Sequence, residues 1–289
     1  MSKTQIALEK AQKEQHENKN TIAGENNKKG SVEKTRHEVS TIGKESSLSP
    51  GISYRRSKVA KVDRDTLRNN RLVSHFDGNL ISDQYKIIKT KILQKTEKEG
   101  LNTILITSAF AGEGKSLTSA NVAISLAKET VHTVLLVDAD LRKPSLHKLF
   151  GLQTEAGLSD YLLEGASLPD LFINPGIDRL LLLPGHLYIE NSTEVFGAPK
   201  MERLVHELKS RYLERYIIFD SPPLIESADS LILSKYVDGV ILVIEAGKTQ
   251  IQHIEKALSL LEGKNIIGLV LNKGEIPESK KYYYSYLKP

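Results

Sequence analysis

The sequence AFAGEGKS, from Ala109 to Ser116, sets two glycines, a lysine and a serine directly behind the apolar run TILITS. It matches the phosphate-loop pattern G-x-x-x-x-G-K-[ST] at every fixed position except the first, which is Ala109. Glycines in such a loop let backbone N–H groups turn toward phosphate oxygens, the lysine adds a positive charge, and the serine hydroxyl reaches Mg²⁺. A helical pattern follows, and a helix N-terminus also favours an anion. The stretch predicts a site for ATP and Mg²⁺, with nucleotide contacts from Gly112, Glu113, Gly114, Lys115, Ser116 and Leu117.

Acidic residues follow two other apolar runs. Asp138 and Asp140 lie two residues apart in VLLVDADLRKP, which puts them on one side of an extended chain, and Asp220 ends YIIFD before two prolines. Neighbouring carboxylates repel each other, and Mg²⁺ bound to nucleotide phosphates would offset that repulsion. Any one of the three could instead cap a helix or lie in a solvated loop. Their common position after strands, beside a phosphate loop, favours a joint role in binding a metal.

The elements that must position these residues alternate along the chain beyond Gly100. Helical patterns begin near Lys115, Ser145, Ala198, Ser227 and Ile251, and short apolar runs lie between them. Strands that read as continuous apolar runs are typical of parallel sheets covered on both faces, with ligands at the carboxyl ends of the strands. We therefore expect an α/β fold with a doubly wound, mainly parallel sheet. The predicted strands are TILITS, TVLLVD, LLLLP, YIIFD, GVILVIE and IIGLVLN.

The beginning of the chain has a different composition. Residues 1–100 carry 21 Lys and Arg against 13 Asp and Glu, although the net charge of the whole chain is only +4. Few large apolar residues and no sustained period predict a disordered or loosely ordered basic segment over residues 1–75. Such an arm could touch an acidic partner or anionic lipid. It lacks the aromatic or helical readers of a nucleic-acid-binding face, so we expect no nucleic-acid partner.

Other function classes are excluded by what the sequence lacks. The first thirty residues contain no apolar h-region of a signal peptide. No run approaches the roughly 18 apolar residues that span a bilayer, so we expect no membrane span. The chain has no cysteine, which excludes disulfides and thiolate metal sites.

One amphipathic helix is predicted ahead of the phosphate loop. Ile81, Tyr85, Ile88 and Ile92 recur at steps of three and four residues. Ser82 is suited to cap the start of this helix, and Gly100 to end it. Residues 81–95 form its predicted body.

Over residues 80–289 the sequence resembles the bacterial tyrosine kinases, P-loop proteins unrelated to eukaryotic protein kinases. The resemblance rests on AGEGKS as the Walker A motif, VLLVDADLR as Walker A′, YIIFDSPP as Walker B, and the tyrosine-rich end YYYSY. It implies a P-loop NTPase fold of the Walker A/A′ type and a kinase domain over residues 76–276. Compact members of the family belong to exopolysaccharide and capsule loci, and length and general similarity point to the exosortase-associated branch.

The resemblance also implies roles in phosphoryl transfer for the residues singled out above. Lys115 would hold the β- and γ-phosphates of ATP. Ser116, Asp140 and Asp220 would hold Mg²⁺ directly or through water. Asp138 would orient the tyrosine hydroxyl that attacks. The implied catalytic residues are thus Lys115, Asp138, Asp140 and Asp220.

The roles of two further polar residues remain open from the sequence. Arg142 could bind a phosphate or pair with an acid, and Asn272 could contact adenine or simply end the last strand. Partitioning and regulatory ATPases of the same superfamily are the main functional alternative. They carry an extra lysine five residues before the Walker lysine, where this chain has Phe110. Phenylalanine cannot donate to a phosphate, which favours the kinase.

The resemblance implies partners as well. The helix residues Asp83, Lys86 and Lys89 match the acid-x-x-Arg-x-x-Arg pattern through which family members form rings, although both basic residues are lysine. We expect a ring-like homo-oligomer that phosphorylation dissociates. A separate membrane chain-length regulator would activate the enzyme and recruit it from the cytoplasm to the inner face of the membrane. The acceptors would lie in the tail, residues 277–289, at Tyr282, Tyr283, Tyr284 and Tyr286.

Overall fold

A computed structural model describes residues 58–211 and 214–275 of the chain. Within them an eight-stranded sheet has the order β1-β4-β5-β3-β6-β2-β7-β8. Neighbouring strands are parallel except for the antiparallel pair β4 and β5. The strands are β1 Lys58–Val59, β2 Thr103–Ser108, β3 Thr133–Asp138, β4 Ile173–Asn174, β5 Leu180–Leu183, β6 Arg215–Asp220, β7 Gly239–Glu245 and β8 Ile266–Asn272. The six predicted strands are all confirmed, whereas β1 and β4 are too short to leave a pattern in the sequence.

Helices cover both faces of this sheet, as a doubly wound fold requires. Each of the five starts predicted beyond Gly100 is matched to within two residues, whereas the helices that start at Arg64, Leu158 and Ser192 were not predicted. The helices are α1 Arg64–Asn69, α2 Leu80–Glu99, α3 Lys115–Ala127, α4 Leu146–Leu149, α5 Leu158–Glu164, α6 Ser192–Gly197, α7 Pro199–Arg211, α8 Asp229–Leu233 and α9 Ile251–Leu260, with 3₁₀ turns at Val73–His75 and Leu168–Leu171. None of the helices in the described ranges is long and apolar enough to cross a bilayer.

The core lies in two layers, one on each face of the sheet. Successive residues of β2 point to opposite faces, so Leu105 packs with α5 to α9 while Ile104 and Ile106 pack with α1 to α4. All residues of β2, β3 and β6 are buried. Burial on both faces explains why these strands read as unbroken apolar runs.

Helix α2 begins earlier than the sequence suggested. Asn79, and not Ser82, caps it, because the Asn79 side chain accepts a hydrogen bond from the backbone N–H of Ile81 at 2.9 Å. Ser82 lies inside the first turn and is buried. The predicted end at Gly100 is confirmed, and this residue adopts the left-handed conformation with φ +67°.

Residues 58–75 also differ from the expectation of a loose segment. They form β1, α1 and a 3₁₀ turn, and Leu67 and Leu72 are buried in the core on the α3 face. The backbone N–H of Ser74 donates to Asn121 Oδ1 of α3 at 2.9 Å. Two isolated leucines make no periodic pattern, which is why composition alone missed this contact. Residues 1–57 of the predicted segment lie outside the described residues.

Candidate active site

The order of the strands brings the predicted site residues to one edge of the sheet. Strand β6 lies between β3 and β2, and the Cα atoms of Asp138 and Asp220 are partners in the register. The phosphate loop follows β2 and leads directly into α3. Parallel strands end at the same edge, so the loop and the carboxylates meet there.

The phosphate loop has the backbone conformation that its glycines predict. Gly112 has φ +85° and Gly114 has φ +94°, values that side-chain-bearing residues rarely adopt. A Cβ atom at Gly114 would also lie 2.1 Å from Asn272 Nδ2. Gly114 caps α3, whose first turn contains Lys115, Ser116 and Leu117. The loop is therefore formed as an anion-binding turn at a helix N-terminus.

Lys115 is held by a carboxylate of the same site. Its Nζ lies 2.7 Å from Asp140 Oδ2, and both side chains are almost fully buried. Burial disfavours the charge on Lys115, but the carboxylates of Asp220 and Asp140 outweigh burial and raise its pKa. The lysine is thus charged and ready to bind an anion.

One carboxylate oxygen of Asp220 is available to bind a cation. Its Oδ1 accepts a hydrogen bond from Ser119 Oγ at 3.1 Å, while its Oδ2 is buried and accepts none from the described residues. Burial raises the pKa of Asp220, and the charge of Lys115 opposes this effect. An unpartnered carboxylate oxygen beside Asp140 and the Ser116 hydroxyl fits the oxygen ligands that Mg²⁺ prefers.

No cluster of three or more His, Asp or Glu residues suited to a metal occurs in the part of the chain that the structure describes. This is compatible with Mg²⁺, which one or two carboxylates commonly hold together with water and substrate phosphates. Ser116, Asp140 and Asp220 are the residues that would supply the protein ligands.

Asp138 serves a structural purpose that the sequence left as an alternative. It is fully buried, and its Oδ2 accepts hydrogen bonds from the backbone N–H groups of Ser145, at 2.8 Å, and Leu146, at 2.9 Å. It thereby caps the short helix α4. Burial and the charge of Asp220 raise the pKa of Asp138 to about 7, against the effect of the two N–H donors. A carboxyl group with such a pKa can accept or release a proton near neutral pH.

Arg142 pairs with an acid in this structure, which is one of the two alternatives that the sequence left open. Its Nε lies 3.4 Å from Asp229 Oδ2 and donates to Ser192 Oγ at 3.1 Å. Asp229 is buried and also accepts hydrogen bonds from Ser192 and Thr193. Sequence reasoning missed Asp229, Ser192 and Thr193, because nothing in their local patterns distinguishes them. The network connects the Walker A′ loop to α6 and α8.

Hydrogen bonds of Glu113 and Asn272 stabilise the phosphate loop on its protein side. The buried Glu113 carboxylate accepts the backbone N–H of Phe110 at 2.9 Å and a hydrogen bond from Thr249. Asn272 Nδ2 donates to the backbone carbonyl of Glu113 at 2.8 Å. The ring of Phe110 packs edge-on against His253 at 4.9 Å between centroids. Phe110 is thus part of the packing and offers no charge to the site.

The candidate oligomerisation residues make ion pairs within the chain. Lys86 Nζ lies 2.8 Å from Asp83 and 3.9 Å from Asp77, and Lys89 pairs with Glu129 of the loop after α3. Tyr85 of α2 is buried in the core. The predicted phosphoacceptors, Tyr282, Tyr283, Tyr284 and Tyr286, lie outside the described residues.

Known proteins are similar to this chain in sequence and in fold. The family model described as "ParA: NUBPL iron-transfer P-loop NTPase" matches residues 100–283. The tyrosine-protein kinase YwqD of Bacillus subtilis is 34% identical over 208 residues, which cover 71% of this chain and 86% of YwqD. The chain belongs to the bacterial tyrosine kinases. The putative tyrosine-protein kinase CapB of Staphylococcus aureus is 31% identical to this kinase over 208 residues, 71% of the kinase and 90% of CapB.

Solved structures agree with this membership. The crystal structure of the VpsO kinase domain matches this kinase with a TM-score of 0.62 and 32% identity, over 68% of this kinase and 96% of that chain. The protein is therefore a tyrosine-protein kinase with the P-loop NTPase fold that its Walker motifs predict. A nucleotide with Mg²⁺ is the ligand that this fold implies.

Proposed function

We propose that this kinase transfers the γ-phosphoryl group of ATP to the tyrosine cluster of its own tail, Tyr282 to Tyr286, on a neighbouring copy of the chain. The observation that carries the proposal is the group formed by Lys115, Asp140 and Asp220 at the mouth of a formed phosphate loop. The tail supplies acceptors of the right chemistry, since four tyrosines lie within five residues of the chain. From Lys273 to Tyr284 an extended tail reaches almost 40 Å at roughly 3.3–3.6 Å per residue, which permits an adjacent active site.

Each residue of the site has a part in this transfer. The amides of residues 112–117 and Lys115 hold the phosphates, and Ser116, Asp140 and Asp220 hold the metal. Mg²⁺, when bound, offsets the negative charge of the phosphates. The tyrosine oxygen forms a bond to the γ-phosphorus as the bond to the bridging β,γ-oxygen breaks, which leaves ADP.

Asp138 orients the incoming hydroxyl and takes its proton. A phenol has a pKa of about 10, so the proton leaves during the transfer and not before it. The pKa of Asp138, about 7, suits a group that must accept this proton and then release it. Because Asp138 also caps α4, movement of this carboxylate and movement of the Walker A′ loop are coupled.

Arg142 and Asn272 support the nucleotide site without holding the phosphates themselves. Arg142 holds the Walker A′ loop in place through Asp229, so that Asp140 stays beside Lys115. Asn272 lies against Gly114 and donates to Glu113, next to the position where a helix N-terminus meets the phosphates. We assign it the contact with the adenine base.

The cellular setting follows from the resemblance to kinases of exopolysaccharide and capsule loci. The kinase works in the cytoplasm as a ring-like homo-oligomer, recruited to the inner face of the membrane by a chain-length regulator that activates it. Each phosphate added to the tail brings about −1.5 to −2 charges, and their mutual repulsion dissociates the ring. The cycle of assembly and dissociation regulates polymerisation and export of the polysaccharide.

A mixing experiment tests transfer between copies. A Lys115→Met chain with its tail intact is incubated with an active chain truncated after Glu278, radiolabelled ATP and Mg²⁺. We expect label on the Lys115→Met chain, at tail tyrosines identified by mass spectrometry. The matched control is the Lys115→Met chain alone, which should stay unlabelled.

The outcome separates three possibilities. Absence of label on the inactive chain, with full-length wild type active alongside, would refute transfer between copies. Label on wild-type residues other than the tail tyrosines would refute the choice of acceptor. An inactive wild type that still releases phosphate from ATP would favour a regulatory ATPase.

A further inference from the structure

Two residues at the end of β8 donate hydrogen bonds to backbone carbonyls of the phosphate loop. Lys273 Nζ donates to the backbone carbonyl of Gly112 at 2.7 Å, and Asn272 Nδ2 donates to that of Glu113 at 2.8 Å. These two carbonyls belong to the loop residues just before Gly114, which caps α3. Lys273 was not among the residues that the sequence singled out, because a lysine after a strand gives no sign of which backbone carbonyl it contacts.

Lys273 is itself fixed in an unusual conformation. Its φ is +58°, in the left-handed region that lysine rarely adopts. Its Nζ lies 3.1 Å from Glu245 Oε2, and the hydrogen bond from Lys273 is the largest cause of the lowered pKa of Glu245. A strained backbone persists where surrounding contacts fix it, and such residues concentrate at functional sites.

The geometry of the loop explains why these donors matter. Where amide N–H groups turn inward toward an anion, the neighbouring carbonyls turn outward and need partners of their own. Gly112 has φ +85°, and no atom lies within 4 Å of the position that a Cβ would occupy, so side-chain packing does not restrict the loop at this residue. The ammonium group of Lys273 and the amide of Asn272 satisfy the outward carbonyls and so select one conformation.

We propose that Lys273 is a positioning residue that keeps the phosphate loop in its phosphate-binding conformation, so that affinity for the triphosphate depends on it. The inference rests on the nucleotide binding proposed above. It adds a dependence on the β8 end, which none of the Walker motifs contains. The effect acts through the Gly112 carbonyl and is independent of the base.

The chain offers a matched control, because Lys248 binds the same carboxylate. Lys248 Nζ lies 3.3 Å from Glu245 Oε2 but makes no described contact with the loop. Lys248→Ala and Lys273→Ala each remove one positive charge that pairs with Glu245. Only Lys273→Ala also removes the donor to the Gly112 carbonyl. Lys273→Arg restores a donor and a charge.

Calorimetric titration of each full-length variant with Mg-ATP and with Mg-tripolyphosphate, which has no base, tests the proposal. We expect Lys273→Ala to weaken binding of both ligands by about tenfold. Lys248→Ala should change both affinities less than about twofold, and Lys273→Arg should recover most of the loss.

Lys273→Gly separates positioning from general stability. Glycine removes the side chain and also relieves the left-handed backbone, so the thermal midpoint should stay the same or rise while affinity falls. Equal losses in Lys248→Ala and Lys273→Ala would overturn the proposal, since the cause would then be Glu245. A loss for Mg-ATP alone would overturn it in favour of a contact with the base. Wild type that binds neither ligand would overturn the proposed nucleotide binding and this inference with it.

Discussion

At the scale of single residues, the site concentrates negative charge around one lysine. Asp138 and Asp220 are 0% exposed and Asp140 is 5% exposed, and Lys115 contacts Asp140 directly. Burying several carboxylates near each other is unfavourable unless a cation compensates them. The site therefore has an excess of negative charge, which a divalent ion would compensate.

We predict that Asp220→Asn makes nucleotide binding insensitive to Mg²⁺. The change removes the charge while keeping the size of the side chain, so binding of Mg-ATP should weaken by about tenfold or more, and binding of metal-free ATP should not weaken. Titration calorimetry with Mg²⁺ and with EDTA measures both. Ser119→Ala is the matched control, since it removes a hydrogen-bond partner of Asp220 and leaves the carboxylate. An Asp220→Asn protein that keeps its Mg²⁺ dependence would contradict the assignment.

The sequence predicted which residues would lie close together at the end of the sheet, but it did not predict the partners that they have in the structure. Gly112, Gly114 and Lys115 were predictable because the chemistry of phosphate binding restricts both residue type and spacing. The pairing of Arg142 with Asp229 was not, because an arginine after Walker A′ has several acceptors within reach. Lys273 could be found only once β8 and the phosphate loop were seen side by side.

At the scale of elements, helix α2 has one face that packs in the core and another that is available for the proposed contact between subunits. Its buried face contributes Tyr85 and Ile92 to the core, while Ile81 and Ile87 are about half exposed. Lys86 and Lys89 also differ in exposure to solvent. The side chain of Lys86 is 46% exposed, whereas that of Lys89 is 16% exposed and paired with Glu129.

We predict that Lys86→Ala dissociates the oligomer more than Lys89→Ala does. Lys86 is the more accessible of the two for a partner subunit, and Lys89 acts mainly within its own chain. Light scattering after size-exclusion chromatography measures the mass of each variant under conditions where wild type is oligomeric. An unchanged mass for Lys86→Ala would remove α2 from the subunit contact, and Lys91→Ala, at an exposed position of the same helix, is the control.

The body of α2 was predictable from its period and from Gly100, but its start was not. Asn79 and Ser82 are both good caps, and the choice between them depends on which turn the domain surface accommodates. Ser82 lies inside the first turn of the helix, where it is buried. Strands β2, β3 and β6 were easier, because burial on both faces leaves unbroken apolar runs.

At the scale of the whole molecule, residues 58–75 belong to the folded unit. Leu72 is 0% exposed, and Ser74 and Arg71 are tied through hydrogen bonds to Asn121 of α3. Since α3 begins at the phosphate loop, this segment braces the helix that carries Lys115 and Ser116.

We predict that Leu72→Ala lowers the free energy of unfolding by about 2–5 kcal/mol, the range for removing a buried leucine side chain. Val59→Ala, at a position that is 68% exposed, should change it by less than about 0.5 kcal/mol. Urea denaturation of both variants beside wild type gives the comparison. Equal stability of the Leu72→Ala protein and wild type would show that the segment contributes nothing to the fold.

The ion pair between Lys115 and Asp140 has a consequence for turnover. Because Asp140 is part of the same chain, it competes with phosphate for the ammonium group at a fixed local concentration, whatever the amount of nucleotide. Nucleotide binding is then an exchange of one anion for another. If Asp140 binds the metal ion as proposed, it would no longer compete for Lys115, so metal binding and nucleotide binding would strengthen each other. On the proposed mechanism, re-formation of this ion pair would favour release of ADP and return the site to its starting state.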